Sequence, residues 1–284
     1  MRFVSRFRRL ARPSSRMVST SVLALVVIAF ASPANGATTT LVGRMALAVR
    51  LSPGLAATSG PQGTSFAGTP AVGALFNVSN GKLGSHFCTA SVVHSAGGDL
   101  LITAAHCVSG HSGQIAFVPG YSGGQSPYGV WPVSRIFTDQ AWSSSGSIDD
   151  DVAFLQVSPD SAGTAIETVT GAETLGLNRP AGQLTEVAGY PDGASEPVRC
   201  SNQTEAFNGS PTGVGELQFD CGGYPDGTSG SPFLIQVNKN TGTGTVTGVI
   251  GGYEQGGDSP SVSYSISFGK SAGALYQTAV SAAS

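Results

Sequence analysis

No acidic residue precedes Asp99, and no two cysteines stand at the Cys-Xaa-Xaa-Cys spacing. No histidine and cysteine positions combine into a metal-ligand pattern either, so no metal held by histidine and cysteine is expected. Long apolar runs are also missing: the stretch Val22 to Ala31 is too short to cross a bilayer. Charge is sparse and uneven. Six arginines fall between Arg2 and Arg16, with Arg44 and Arg50 following, which leaves six basic residues against all 17 acidic ones beyond position 50. That region carries about −11, which argues against a nucleic-acid partner and suits an exported protein kept soluble by its acidic surface.

What is present at the N-terminus is a basic stretch, then an apolar run, then Ser-Pro-Ala-Asn-Gly-Ala, the order of a secretory signal. Residues 1–36 are therefore expected to be a signal peptide, cleaved after Gly36 or Ala37, with no membrane association afterwards and an extracellular destination. Arg8 and Arg9 lie well before the apolar run and read as ordinary leader charge. In an exported chain, four cysteines imply two disulfides. Residues 37–68 hold Pro53, Gly54, Gly60, Pro61 and Gly63 without sustained periodicity and read as a pro-segment or flexible leader. Within them Met45 to Leu51 suits a short helix or strand.

From Thr69 onward, short apolar and β-branched runs alternate with Gly, Ser, Pro and Asn clusters. The runs are Val72–Val78, Phe87–Val93, Leu100–Thr103, Ile115–Val118, Val130–Phe137 and Val152–Val157, then Leu184–Tyr190, Gly215–Cys221, Pro232–Val237, Thr245–Ile250 and Val262–Phe268. Many closely spaced strands joined by turn chemistry predict an all-β sandwich or barrel. The one helix expected is Gly269 to Ala283, and the boundary between halves falls near Ala162 to Arg179.

Three stretches carry chemistry. In Gly222 to Pro232, Ser229 lies between glycines in a turn that opens into Phe233-Leu234-Ile235. Glycine lets the backbone bend tightly, so the amides of Gly227 and Ser229 can converge on an oxyanion. In Leu100 to Cys107, His106 follows a buried-looking strand and two alanines, and Cys107 can pair with Cys88 to pin the segment. In Ser147 to Val157, Asp151 stands immediately before an alternating strand, where a buried carboxylate can accept the Nδ1–H of a histidine and fix its tautomer. Asp149 and Asp150 read as loop residues. His86, His94 and His111 read as structural or surface groups, and Trp131 and Trp142 as core.

The order His106, Asp151, Ser229, in the blocks Thr-Ala-Ala-His-Cys, Asp-Val-Ala-Phe-Leu and Gly-Thr-Ser-Gly-Ser-Pro, resembles the three catalytic blocks of the chymotrypsin/trypsin clan of serine peptidases. Gly189-Tyr-Pro191 and Ser229 to Pro232 are more similar to secreted bacterial members, including the glutamyl endopeptidase group, than to pancreatic trypsin. The resemblance covers about residues 71–268. It implies two packed six-stranded antiparallel β-barrels, the first over about 69–165 and the second over about 166–268, followed by the helix at about 269–283 within a peptidase domain of 69–284. It further implies Ser229 as nucleophile, His106 as general base, Asp151 as orienting acid, Gly227 and Ser229 as oxyanion donors, a protein or peptide substrate, a monomer, and no cofactor. The second disulfide would then be Cys200 with Cys221.

Departures from the family pattern carry information too. Thr228 stands where animal enzymes have an aspartate that receives the newly cut amino-terminus, so maturation is expected not to use that ion pair. The resemblance sets the primary pocket at Gly223, Tyr224, Gly251, Gly252, Tyr253 and Val262. Gly223 in place of aspartate argues against Arg or Lys, and the wall Thr247 to Tyr253 lacks the histidine associated with glutamate preference. The expectation is a small or medium uncharged side chain, with Asp226 serving the turn after Pro225. The alternatives are an inactive peptidase-like binding protein and a serine esterase; an α/β-hydrolase esterase would carry Ser, acid and His in the opposite chain order.

Overall fold

The computed structural model describes residues 60–111 and 113–282. The expected signal peptide and the Met45 to Leu51 piece lie outside the described residues. Strands form where the sequence runs apolar or alternates, and the glycine clusters become the turns between them. In the first half these are β2 (Val72–Ser79), β3 (Lys82–Val92), β4 (Leu100–Thr103), β5 (Gln114–Pro119), β6 (Trp131–Thr138) and β7 (Ala153–Val157), preceded by a two-residue strand β1 (Thr64–Ser65). Six of them close a barrel in the order β2-β3-β4-β7-β6-β5. All six match runs read from the sequence; five bury apolar runs, and β6 buries Trp131 while Val133 and Phe137 pack partly buried against the core.

The second half contains β8 (Thr174–Leu175), β9 (Leu184–Gly189), β10 (Val198–Gln203), β11 (Glu205–Phe207), β12 (Glu216–Asp220), β13 (Pro232–Ile235), β14 (Thr245–Val249) and β15 (Val262–Ile266). These form a six-stranded sheet, β1-β10-β9-β13-β14-β8, and a separate three-stranded sheet, β11-β12-β15. The second six-stranded barrel is thus built as two sheets rather than one continuous ladder. Between β14 and β15 the Val249 N–H donates to Ser265 Oγ at 2.8 Å, so a side chain takes the amide that a ladder would use. Among the described strand pairs, that of β8 with β14 is parallel and the others are antiparallel.

Two short helices absent from the sequence reading are α1 (Gln140–Ser145), capped by the Asp139 side chain, and α2 (Ile166–Thr170). The C-terminal helix α3 (Lys270–Ala282) buries Ala272, Leu275 and Ala279, the one-face spacing of an amphipathic helix. Its far end is held by Arg135, which donates to the Ala282 carbonyl at 2.8 Å.

The chain is tied to the second sheet before Thr69. Thr64 and Ser65 pair with Arg199 and Val198, and the Gly63 N–H donates to the Gly222 carbonyl at 2.7 Å. Residues 61–65, which the sequence assigns to the leader, therefore run past Gly222, at the start of the segment that leads into the Ser229 loop, and then along β10.

Candidate active site

Strand register brings His106 and Asp151 together. Thr103, the last residue of β4, pairs with Ala153, the first of β7. The two antiparallel strands thus end and begin at the same rim, His106 three residues beyond one and Asp151 two residues before the other. Asp151 is fully buried there, and its Oδ2 lies 2.8 Å from His106 Nδ1. The His106 backbone N–H donates to Oδ1 at 2.9 Å, and the Gly252 N–H donates to Oδ2 at 2.9 Å. A buried carboxylate without such donors would be strongly disfavoured; here two amides and the ring satisfy it and fix the ring's orientation. Behind the ring, Cys88 and Cys107 form one disulfide and Cys200 and Cys221 the other. The two sulfurs near His106 are consumed by that bond and cannot serve as thiolate ligands for a metal.

The Ser229 loop is brought to the same rim by the second sheet. Ser229 precedes β13, whose neighbour β14 ends at the wall segment Ile250–Gly252. The Gly230 N–H donates to the Ile250 carbonyl at 2.8 Å. Gly230 has φ +82°, and a Cβ on it would stand 2.1 Å from Thr103 Oγ1 and 2.2 Å from the Thr89 carbonyl oxygen. Only glycine lets the loop press this closely on β3 and on the end of β4 that leads to His106.

Thr89 on β3 joins the halves. Its backbone N–H donates to the Ser229 carbonyl at 2.8 Å, and its hydroxyl donates to the Gly227 carbonyl at 3.1 Å while accepting from the Tyr190 N–H at 2.9 Å. The Asp226 carbonyl accepts from the Asp192 N–H at 2.8 Å. In a trans peptide the N–H points opposite to the carbonyl, so the Gly227 N–H faces away from Asp192. Among the described residues, neither the Gly227 nor the Ser229 N–H donates to another protein group, and Ser229 Oγ makes no hydrogen bond within the protein. Thr228 is buried, and its hydroxyl donates to the Pro225 carbonyl at 2.7 Å.

Beside Ser229 lies a cavity of about 580 Å³, bounded by Tyr224, Ile250 and the segment Glu254–Pro260. Four carboxylates line it: Asp192, Asp226, Glu254 and Asp258. Of the six residues expected in a substrate pocket, Tyr224 lines this cavity; Gly223, Gly251, Gly252, Tyr253 and Val262 do not. Asp226 does so while also serving the turn, since the Thr228 N–H closes onto the Pro225 carbonyl at 3.2 Å.

The remaining candidates have structural partners. Asp149 accepts from Thr212 Oγ1, and Asp150 from Ser147 and Ser271. His94 pairs with Glu167, His111 stacks on Phe87, and His86 lies 3.0 Å from the Ala194 carbonyl. Sequence reasoning missed Thr89, a polar residue inside a strand, and Asp192, just beyond the Gly189-Tyr-Pro191 block; Ile250 lay in the wall Thr247 to Tyr253 without being singled out. A signal for Thr89 was available: a polar residue in an apolar strand beside a cysteine.

Comparison with known proteins fits this geometry. The structure is similar to the protease Anisep from Arthrobacter nicotinovorans, with TM-score 0.66 and 24% identity over 77% of this chain and 99% of that one. A thermostable serine protease from an extremophilic microorganism aligns with TM-score 0.63 and 26% identity over 75% of this chain and 98% of that one. A Glu endopeptidase aligns with TM-score 0.59 and 16% identity over 78% and 98%, a likeness of fold. No curated protein sequence matches. The Trypsin family model matches residues 62–268, most of the chain, and the protein therefore belongs to the trypsin family of serine peptidases.

Proposed function

We propose that the chain is a secreted serine endopeptidase acting through Ser229, His106 and Asp151. The observation that carries this reading is Asp151, buried and bonded to both the ring and the backbone of His106, at the rim reached by the Ser229 loop. Ser229 Oγ attacks the scissile carbonyl as His106 Nε2 takes its proton. Asp151 keeps Nδ1 protonated and stabilises the imidazolium that results. The tetrahedral oxyanion is held by the free N–H groups of Gly227 and Ser229, donors worth on the order of 3 kcal/mol each. Collapse expels the amine with the proton from His106, and water then hydrolyses the acyl-serine by the same steps in reverse order. No cofactor enters these steps.

Secretion is supported by the leader and the two disulfides, and the enzyme is taken to act on proteins or peptides as a monomer. Thr228, occupied by the Pro225 carbonyl, supports maturation without an ion pair to a new amino-terminus. The lining carboxylates repel an acidic side chain, so in a substrate panel cleavage after Glu or Asp is expected to be weakest.

The deciding experiment is labelling with a fluorophosphonate followed by peptide mapping. The expected result is label on Ser229 that His106→Ala abolishes. Absence of label on folded wild-type protein would favour a binding protein without turnover, and a labelled protein that cleaves esters but no peptide would favour an esterase.

A further inference from the structure

Behind the proposed triad lies a buried acid that the mechanism does not use. Glu216 opens β12, is 2% exposed, and accepts the Tyr253 N–H on both carboxylate oxygens, at 3.2 and 3.0 Å. The preceding residue, Gly252, gives its own N–H to Asp151. Consecutive amides of one turn are thus held by two different buried carboxylates. Gly252 sits at φ +81°, and Glu216 Oε2 lies 3.0 Å from where its Cβ would stand. The Gly251–Gly252 pair has little conformational preference of its own, so what fixes the next peptide also aims the Gly252 N–H.

We propose that Glu216 is a positioning residue for the acyl-transfer site: it anchors the turn at Gly252 and Tyr253 so that Gly252 stays on Asp151 and Asp151 stays on His106. This rests on the triad reading above. The titratable groups facing Glu216 are Asp149 and Asp151 from the segment before β7, Tyr253 from the turn and Tyr264 from β15. Burial, with smaller contributions from Asp149 and Asp151, pushes the carboxyl up to about 7. A neutral side chain could satisfy the Tyr253 N–H at lower cost. The carboxylate adds negative charge on the side of Asp151, which favours the imidazolium formed during acyl transfer.

The test compares Glu216→Ala and Glu216→Gln with wild type on the full chain. Three readouts are used: ester turnover against pH, thermal melting, and the low-field NMR resonance of the proton between His106 and Asp151. Glu216→Ala is expected to lower kcat about 30-fold with KM within about twofold, and to broaden or shift the resonance upfield. Glu216→Gln, which keeps an acceptor, restores the resonance and most of kcat. Its acid limb loses the second proton uptake near pH 7 that Glu216 contributes in wild type. Unchanged kcat, limb and resonance in Glu216→Ala, with only melting lowered, would overturn the proposal. If the resonance responds but no form turns over substrate or labels at Ser229, the positioning stands and the peptidase reading fails.

Discussion

The first half of the fold closes on itself with backbone ladders, whereas the second half closes with side chains and a disulfide. In the first, six strands form an unbroken ring. In the second, β10 and β12 belong to different sheets and are joined by Cys200–Cys221 and by Asn202 Nδ2 donating to the Asp220 carbonyl at 2.7 Å. A ladder fixes register residue by residue, so the ring brings the segments carrying His106 and Asp151 to one rim, where the Gly252 amide of the second half then holds Asp151. The second half leaves its connecting loops to glycine turns and single polar contacts, and these loops form the walls of the cavity beside Ser229. The rim that carries His106 and Asp151 is thus set by ladders, whereas the cleft wall that meets it at Gly252 depends for its shape on a few contacts.

Forcing the two halves apart has the largest expected effect. Gly230→Ala would drive a Cβ into Thr103 Oγ1 and the Thr89 carbonyl at a positive φ. It should cost at least about 4 kcal/mol in denaturant unfolding and abolish fluorophosphonate labelling. A loss under about 1 kcal/mol would mean that the halves meet less tightly than the contact implies.

Removing each disulfide sharpens the comparison. The sequence separations are 19 and 21 residues, so the chain-entropy loss is nearly equal, about 3 kcal/mol for each pair replaced by serine. Hydrogen exchange should differ nonetheless. Without Cys88–Cys107, β3 keeps the protection of its ladders to β2 and β4. Without Cys200–Cys221, β10 and β12 should lose protection where their sheets meet. Equal protection in both variants would show that side-chain closure is as firm as ladder closure.

The same difference explains what could be read from the sequence. Every strand of the closed barrel announced itself through apolar runs, and His106 and Asp151 were legible because each stood at the end of such a run. The strands that went unread, β1, β8, β10 and β11, are short or polar. Val198–Gln203 carries Arg, Ser, Asn and Gln, and becomes a strand through pairing with β9 rather than through any pattern of its own. Helix α1 did leave a signal, Asp139 at one end and Gly146 in the left-handed region at the other, but six residues are too few for periodicity. The cavity lining was the least legible part. Glu254 and Gln255 adopt φ of 50° and 53°, a path that neither composition nor spacing encodes. Thr89 and Glu216 act through distant backbone groups, which single residues in a sequence do not advertise.

A smaller effect tests the seam between the halves. Glu173 lies in the connecting segment, fully buried; its N–H donates to the Val92 carbonyl at 2.8 Å, and its side chain accepts from the Gly244 N–H. Burial raises its carboxyl from the ordinary value of 4.5 to about 8, with the charge of Glu186 adding a little. The folded protein therefore keeps a proton that the unfolded chain releases. Its contribution to stability is complete below about 4.5 and is lost as pH rises toward 8. Between pH 5 and 7 the loss attributable to Glu173 is on the order of 2 kcal/mol, and Glu173→Gln should remove it. Glu216 slopes the same way, so the quantity to measure is the difference between wild-type and Glu173→Gln unfolding free energies in urea at pH 5, 6 and 7. A difference that stays constant across that range would mean that water reaches Glu173, and that the halves are joined there less closely than the ring and sheets are joined within themselves.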